Sequence, residues 1–524
     1  MAKYLLKRLL HGAFSVIIVT AIIMILIYTL LSRDAIFQHD DTFNKQVEND
    51  REVYKYDRWE KYGYLDYINY SEFINELVST GKITDAEREQ VAIGYKPSSD
   101  SDLAKKYIKE FTDRYESKGY TVKRLLAITT SSTSTRLKAG GSPKLFAYKD
   151  VNLFARLWGF FSKLIRIDNI HYAEEVVGNR GITFTWFDPS KGGDVFSPAI
   201  LGNGTKYKYL LYFDGKFPFI HQNLITFSLG TSYSISQGND IAKTMSSSQG
   251  SIDVTDVYYP TGLVTKSADD LHSLTYIKGS NSSEFNKARY VDDYTYCDST
   301  KTGMSMIGYS FVIGIIATIL SYLLGVPLGI LMARKKDKLA DKIGTVYIVF
   351  IMAVPSLAYI FMFKALGGAL FGLPTTFDMD AHNAFVYILP IISLALPSVA
   401  SLMRWLRRYM IDQMNSDYVK FARSGGLSDS EIFRKHILKN AAIPIIHGIP
   451  GSILGCIVGA IITESVYVVP GTGKLLTDAI KLYDNSVIVG LSFFYAILSV
   501  VSLILGDILM ALIDPRISFS TKGR

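Results

Sequence analysis

Long runs without charged side chains constrain this chain more than any other feature. The first run lies between Arg8 and Arg33 and is about 24 residues long. Five more runs lie between Lys301 and Arg334, between Lys342 and Lys364, and over about residues 384–403, 445–463 and 487–513. Since roughly 20 apolar residues cross the core of a bilayer, the sequence predicts an α-helical polytopic membrane protein with six transmembrane helices. The first run exceeds the 7–15-residue core of a secretory signal, so we interpret it as a retained helix.

Residues 33–302 form a polar region rich in Tyr and Ser. The net charge of +8 could indicate nucleic-acid binding in a soluble protein. In a membrane protein, Lys and Arg collect on cytoplasmic loops, so we expect a lipid membrane and no nucleic acid as partner. The two cysteines, Cys297 and Cys456, fall in the polar region and in an apolar run, and this placement implies no disulfide framework.

Basic residues in short loops mark the cytoplasmic side. They precede the first run, fill the turn after the second, occupy residues 404–444 and end the chain. Both termini are therefore predicted to be cytoplasmic and the polar region extracellular. The predicted division is residues 1–32 for the N-terminus and helix 1, 33–302 for the extracellular domain, 303–513 for helices 2–6 with the cytoplasmic loop 404–444, and 514–524 for a cytoplasmic tail.

Prolines recur in the predicted helices 2 to 5, together with many glycines. Membrane helices tolerate proline, and small residues allow close helix packing. Such helices suit a moving pathway, although each proline has an equally good structural explanation.

The cytoplasmic loop 404–444 carries two short helical patterns. In "SDYVKFARSGG", Asp417 lies near the helix start, and a Gly-Gly pair can end the helix. In "LSDSEIFRKHIL", Ser428 and Glu431 have the spacing of a capping box. The predicted shared faces are Tyr418 with Phe421 and Ala422 in the first helix, and Ile432 with Phe433, His436 and Ile437 in the second. We predict a helix–glycine turn–helix that can enter a cleft on a cytoplasmic partner; the alternative is an ordinary solvated loop.

The stretch "YVKFARSGGLSDSEIFRKHILKNAAIP" resembles the coupling loop of ABC-importer permeases of the oligopeptide/dipeptide branch. Ala422 and Gly426 match the second small residue and the invariant glycine of that loop, whereas Lys420 and Phe421 depart from the usual Glu-Ala. His436, Leu438, Asn440 and Pro444 resemble the ending found in this branch. Similar segments include "YLLKRLL", "LLGVPLGILMAR", "TESVYVVPGTGKLLTDAIKLYDNSVIVG" and "DILMALIDPRISF".

The resemblance implies a type I ABC importer fold and a transport role without enzymatic activity in this chain. It implies a second homologous permease, two ABC ATPase subunits that bind ATP and Mg, and an external peptide-binding lipoprotein, with no cofactor on this chain. The implied ATPase-coupling residues are Tyr418, Phe421, Ala422, Arg423, Gly425, Gly426, Leu427, His436, Asn440 and Pro444. ATP binding would move these loops and open the pathway alternately to each side.

Other motifs and single charged residues give weaker functional signals than the loop. "VPGTGKLL" lacks the first glycine and the Ser/Thr of a phosphate loop, and it falls on the predicted outer side. Glu464 and Asp507 are candidate gate or structural residues, since ionisable side chains at membrane depth are costly. Asp514 marks the inner end of the last helix. No Cys/His cluster has metal-ligand spacing.

The extracellular region is predicted to be a large α+β domain inserted between helices 1 and 2. Residues 50–126 have a charged, helix-like pattern, with Leu103, Tyr107, Ile108 and Phe111 on one face. "ITFTWF" and "YKYLLYF" indicate strands. "LFARLWGFFSKLI", ending at Ile165, and "FSLGTSYSISQGNDIAKTM" resemble parts of the shorter family segment. The domain could dock the binding protein, contact substrate or brace the complex; we favour docking, and its size without an outer-membrane signature indicates a Gram-positive cell.

Two other classes remain open on the sequence. A sensor or mechanotransmission protein could also carry a large external domain after its first helix, although six spans and the glycine loop argue against it. A membrane-anchored external hydrolase would need a nucleophile and a base, and neither G-x-S-x-G nor H-E-x-x-H occurs.

Overall fold

The computed structural model describes residues 2–131, 136–215, 219–236, 238–278, 283–379, 383–458 and 460–513. The predicted tail 514–524, with Asp514, lies outside the described residues.

Apolar helices at the N-terminus and in the C-terminal half form the membrane part of the protein. Their bounds, with the short helices between them, are α1 (Ala2–Leu30), α9 (Met306–Arg334), α10 (Leu339–Ala353), α11 (Ser356–Phe371), α12 (Ile388–Met414), α13 (Asp417–Ser424), α14 (Asp429–Ile432), α15 (Leu438–His447), α16 (Ile449–Val458), α17 (Ile461–Tyr467), α18 (Thr472–Lys481) and α19 (Asn485–Ile513). Among the described residues, five helical segments are long and apolar enough to cross a membrane, and α10 with α11 would add a sixth if that bent pair is one span.

The third predicted run differs from the single helix expected over it. Helices α10 and α11 meet at a bend of 108°. Pro355 stands directly before α11, where its ring and missing N–H oppose continuation of α10. Pro327 and Pro397 lie inside α9 and α12, which continue through them. The sequence located the proline but not the size of the bend.

The fifth predicted run also differs in extent. A helical segment begins at Asp429 and continues through α15 and, after the turn residue Gly448, through α16 to Val458, so the second helix of the predicted loop runs on into the predicted fifth span. Residues 404–414, predicted as loop, belong to the end of α12. Pro444 lies inside α15 and does not end it.

Helices α9 and α12 approach each other closely through two glycines of α9. A Cβ on Gly325 would lie 2.9 Å from Cβ of Leu402, and one on Gly329 would lie 3.2 Å from Cα of Met403. Small residues four apart let two membrane helices approach closely. This contact fixes α12, whose C-terminal end carries the candidate site.

Residues 33–302, which the sequence predicts to be extracellular and which we call the external region, contain helices and antiparallel sheets. Its helices are α2 (Asp41–Lys45), α3 (Glu48–Lys61), α4 (Tyr70–Ser79), α5 (Asp102–Glu116), α6 (Leu153–Lys163), α7 (Ile241–Ser246) and α8 (Glu284–Lys287). Its strands are β1 (Leu65–Asn69), β2 (Thr121–Leu125), β3 (Lys144–Asp150), β4 (Ile165–Ile167), β5 (Gly181–Phe187), β6 (Phe196–Asn203), β7 (Tyr209–Phe213), β8 (Ile220–Gln222), β9 (Ile225–Phe227), β10 (Thr255–Tyr258), β11 (Val264–Ser267), β12 (Asp269–Tyr276) and β13 (Tyr294–Ser299). The sheets have the orders β1-β3-β2, β5-β6-β7-β8, β4-β9, β10-β11 and β12-β13.

The helix-like interpretation of residues 50–126 is correct only in part. Helix α5 buries Tyr107 and Phe111, with Leu103 and Ile108 packed beside them, as predicted. However, β1 and β2 lie within the same range and pair with β3. Their pairing with a distant strand could not be read from the local charge pattern. "ITFTWF" and "YLLYF" do form the strands β5 and β7.

The external region packs on α1 and on the N-terminal part of α19. Ile241 and Met245 of α7 share a core with Val16, Val487 and Leu491. Asp484, fully buried, accepts hydrogen bonds from Ser232 Oγ at 2.8 Å and from the backbone N–H groups of residues 233 and 234 at 3.1 and 3.0 Å. The external region is thereby fixed to the segment just before α19.

Candidate coupling site

The candidate site is a turn between two helices, which we call the elbow (residues 417–432). Helix α13 ends at a Schellman motif, in which Gly426 N–H bonds to the Arg423 carbonyl at 3.1 Å and Leu427 N–H to the Ala422 carbonyl at 3.2 Å. Gly426 has a φ of +84°, in the left-handed region. Gly425, by contrast, has a φ of −76°. The predicted glycine end of the first helix is confirmed, and Gly426 is the residue that needs glycine.

The second helix of the elbow begins with the predicted capping box. Ser428 Oγ accepts the Glu431 N–H at 3.3 Å, and Glu431 Oε2 accepts the Ser428 N–H at 3.2 Å. Residues 433–437 then form a π turn. Ile432 and Ile437, five residues apart, are both buried, as the wider π turn requires.

A small apolar core anchors the elbow to the membrane helices. Val419, Ile432 and Ile437 are buried against Leu406 and Met410 of α12, and the same cluster includes Ala333 of α9 and Ala441 of α15. Each buried aliphatic side chain stabilises such a contact by roughly 1.5–3 kcal/mol. The elbow is therefore joined to α9 and α12 by close packing.

The tip of the elbow faces solvent. Phe421 is 77% exposed, so it does not share the packed face that the helical spacing predicted for it with Tyr418 and Ala422. Arg423 Nη2 lies 3.1 Å from Asp429 Oδ1 and connects the two sides of the turn. Lys420 pairs with Asp417 and lowers the pKa of that carboxyl. An exposed aromatic ring on a braced turn is a surface that a partner protein can bind.

The other predicted residues lie behind this tip. Tyr418 is half-buried; its hydroxyl donates to Gln413 Oε1 at 2.6 Å, and its ring lies 6.3 Å from that of His436. Ala422, Leu427, His436 and Asn440 are half-buried, and Pro444 is exposed. These residues support the elbow or extend it along α15.

Glu464 lies far from the elbow and is 2% exposed. Its carboxylate accepts hydrogen bonds from Ser310 Oγ at 2.9 Å and from the backbone N–H of Ala460 and Lys474, both at 3.1 Å. It therefore connects α9, α17 and the first turn of α18, where a carboxylate is favoured. Of the two roles considered for Glu464, gate and structural residue, this geometry corresponds to the structural one.

Asp507 joins the first and last membrane helices. Its Oδ2 atom lies 2.7 Å from Arg8 Nη2 and 3.2 Å from the Tyr4 hydroxyl. Helices α1 and α19 are thus linked at the end where the sequence predicts the cytoplasm.

A Ser–His–Asp group in the external region bears on the hydrolase alternative. His272 Nε2 lies 2.8 Å from Ser190 Oγ and 2.7 Å from Asp188 Oδ2. In a catalytic triad the serine and the carboxylate contact opposite ring nitrogens, whereas here both contact the same one. Ser190 is also bonded to Asp188 at 2.7 Å. This group has the geometry of a structural cluster.

Several residues that matter for the elbow escaped the sequence interpretation. Val419 is its deepest residue in α13, and Asp429 and Gln413 supply polar contacts at the turn. Val419 offered a signal, because it is the only β-branched aliphatic residue in the eight-residue helix α13. Leu406 and Met410 could not be assigned, because they were counted as loop.

Similarity to known proteins identifies the class to which this membrane bundle belongs. Residues 325–519 match the family described as binding-protein-dependent transport system inner membrane component. The oligopeptide transport system permease protein AmiC of Streptococcus pneumoniae is 34% identical over 530 residues and covers 100% of both chains. The dipeptide permease protein DppB of Lactococcus lactis is 32% identical, covering 40% of this chain and 68% of its own; AppB of Bacillus subtilis is 31% identical, covering 41% and 71%.

The chain belongs to this family of ABC-importer permeases, as its sequence motifs indicated, and has the type I permease fold built from several apolar helices. The match to AmiC extends over the external region as well. The organisms of these relatives agree with the expected Gram-positive source. The relatives are transport permeases, so the sensor alternative has no support.

Proposed function

We propose that this chain is a permease subunit of an ATP-driven importer of oligopeptides. It forms the translocation pathway with a second, homologous permease. ATP and Mg are bound by two partner ATPases, and this chain itself carries no catalytic step. A peptide-binding lipoprotein delivers the substrate from outside. Full-length similarity to a permease named for oligopeptide transport supports the substrate class.

The proposed orientation places the elbow and both termini in the cytoplasm and residues 33–302 outside. With the bent pair α10–α11 counted as one span, the chain crosses the membrane six times. The basic turn between α9 and α10 supports this orientation, because Arg334, Lys335, Lys336 and Lys338 lie there. The external region, fixed through Asp484 to the segment before α19, then offers a rigid surface for the binding lipoprotein.

The observation that carries the coupling role is the exposure of Phe421 on an elbow that is packed against α12 and α9. A ring that is 77% exposed contributes little to folding but can fill a cleft on an ATPase. When the ATPases close, the displaced elbow moves α12 through Leu406 and Met410. Because the contact is close-packed, it transmits displacement with little compression.

Phe421→Ala tests this role. Buried aromatic anchors at interfaces are worth about 2 kcal/mol or more, so we expect ATPase affinity to fall roughly 30-fold while the variant inserts and unfolds like the original chain. Co-purification with the ATPases in mild detergent and peptide uptake are the two measurements.

The control is Phe385→Ala, which removes a ring of similar exposure, 58%, just before α12 at its other end. It should leave ATPase binding unchanged. Normal co-purification and uptake with Phe421→Ala would exclude the coupling role. Failure to recover a second permease with the original chain would exclude the importer assignment itself.

A further inference from the structure

A cavity of about 660 Å³ opens between α10 and α12. One wall is apolar and consists mainly of Ile348, Val349 and Met352 of α10. The other wall carries Arg404, Arg407 and Arg408, one helical turn of α12. The cavity is separate from the elbow and is not used by the coupling proposal.

The three arginines differ in how their charges are satisfied. Arg407 is fully engaged, with Nε 2.6 Å and Nη2 2.7 Å from the two carboxylate oxygens of Asp341. Arg404 lies 3.3 Å from the Met352 sulfur, and Arg408 lies 5.7 Å from the Trp405 ring centre. Neither Arg404 nor Arg408 has a carboxylate partner in the described ranges. Both guanidinium groups are therefore available to an anion.

The cavity lies near one membrane surface. Helix α12 has 27 residues and is about 40 Å long, whereas the hydrocarbon core is about 30 Å thick. From Ile388 the core is crossed within about 20 residues, which brings the helix to the level of Arg408. Trp405, beside the arginines, is partly exposed, as interfacial tryptophans often are.

The apolar wall continues along the outer face of α10. Ile343, Val346 and Val349 are all more than half exposed on this helix. This face suits an acyl chain. A bound peptide would need partners for its backbone amides, and among the residues that line the cavity only Thr345 and Asp412 are polar besides the arginines.

We propose that this cavity binds an anionic phospholipid. The phosphodiester headgroup lies on Arg404 and Arg408, and an acyl chain lies along Ile348, Val349 and Met352. Arginine is suited to this role, because its planar guanidinium presents two donors to phosphate oxygens. The ion pair between Asp341 and Arg407 joins α10 to α12. It thereby keeps the two helices far enough apart for the lipid to enter between them.

The test uses the assembled transporter in mild detergent, titrated with phosphatidylglycerol and followed by native mass spectrometry. Arg404→Gln/Arg408→Gln should weaken phosphatidylglycerol binding by at least about tenfold, because two charge-assisted hydrogen-bond donors are lost. Arg404→Lys/Arg408→Lys keeps the charges and should bind with intermediate affinity. Lys335→Gln/Lys336→Gln, an equal charge change on the exposed turn after α9, should bind like the original chain.

Five results would contradict a site for anionic phospholipid in this cavity. Equal binding by phosphatidylcholine of the same chain length, or equal loss in the lysine control, would overturn the proposal. Inorganic phosphate that displaces the lipid fully would assign the site to free phosphate. A peptide that displaces it only when its C-terminal carboxylate is free would assign the site to substrate. No bound lipid in the assembled transporter would also overturn the proposal.

Discussion

Two adjacent glycines in the elbow have different tasks at the scale of single residues. Gly426 adopts the left-handed conformation that closes the Schellman motif. Gly425 has a negative φ that any residue can adopt, and an added Cβ would lie 3.4 Å from the Phe421 carbonyl oxygen and 3.5 Å from that of Ala422. The sequence predicted that one of the pair ends the helix, but only the backbone geometry distinguishes them.

Gly426→Ala is expected to disturb the elbow. An L-residue in the left-handed region costs about 1–2 kcal/mol, and the space around Gly426 is open, so the effect is conformational and not steric. We expect weaker ATPase binding and slower uptake at normal membrane insertion, measured by co-purification and transport. Gly425→Ala is the matched control and should behave like the original chain. Equal behaviour of the two variants would contradict the assigned conformation.

A buried ion pair gives the external region an acid-sensitive contact. Asp100 accepts two hydrogen bonds from Arg124, at 2.6 and 2.8 Å, and one from the Gly94 N–H at 2.7 Å. The Arg124 guanidinium lowers the pKa of the Asp100 carboxyl below 3.8, although burial raises it. A lowered folded-state pKa gives stability that is present above the unfolded value and lost as pH falls through the folded one.

We therefore expect the external region to lose stability below about pH 4. Asp100→Asn should remove this contribution and lower stability at neutral pH by about 3 kcal/mol, because Arg124 is left without its partner. Thermal unfolding of the full chain, followed by tryptophan fluorescence between pH 3 and 7, measures both effects. Asp102→Asn alters a fully exposed carboxylate and should leave the profile unchanged. A pH profile shared by Asp100→Asn and the original chain would rule out this assignment.

At the scale of elements, the order and caps of the helices were predictable, but their continuity was not. The capping box at Ser428 and the glycine turn follow from hydrogen bonds between residues at most five apart. The union of the second elbow helix with the fifth span depends on packing of Ile432 and Ile437 against α12. The 108° bend at Pro355 likewise needs the neighbouring helices to set its angle.

The contact of the external region with α19 depends on one carboxylate. Asp484→Ala removes the acceptor of the hydrogen bonds from residues 232–234 and leaves those buried donors unpaired, which costs about 1–3 kcal/mol per group. We expect faster hydrogen exchange in residues 228–246, measured by mass spectrometry. Asp478→Ala, in the i,i+4 pair with Lys474, should not change that exchange. Unchanged protection in Asp484→Ala would show that the apolar core around Ile241 holds the two parts together without it.

At the scale of the whole molecule, the proposed topology places residues 33–302 and the elbow on opposite sides of the membrane. Ser117 and Ser430 are both exposed and allow a matched test in a Cys297→Ser background. On intact cells, a membrane-impermeant maleimide should label Ser117→Cys and not Ser430→Cys, whereas both should react after permeabilisation. Labelling of Ser430→Cys on intact cells would reverse the orientation.

The sequence by itself determined the membrane class, the family, the glycine elbow and its caps. These properties depend on composition, on the length of apolar runs and on hydrogen bonds between near neighbours. Tertiary structure alone decided that Phe421 faces solvent, that Glu464 caps α18 and that Asp484 holds a segment about 250 residues earlier in the chain. The physical reason is that burial and long-range hydrogen bonds depend on which segments, distant in the sequence, pack together. A local sequence pattern does not specify that packing.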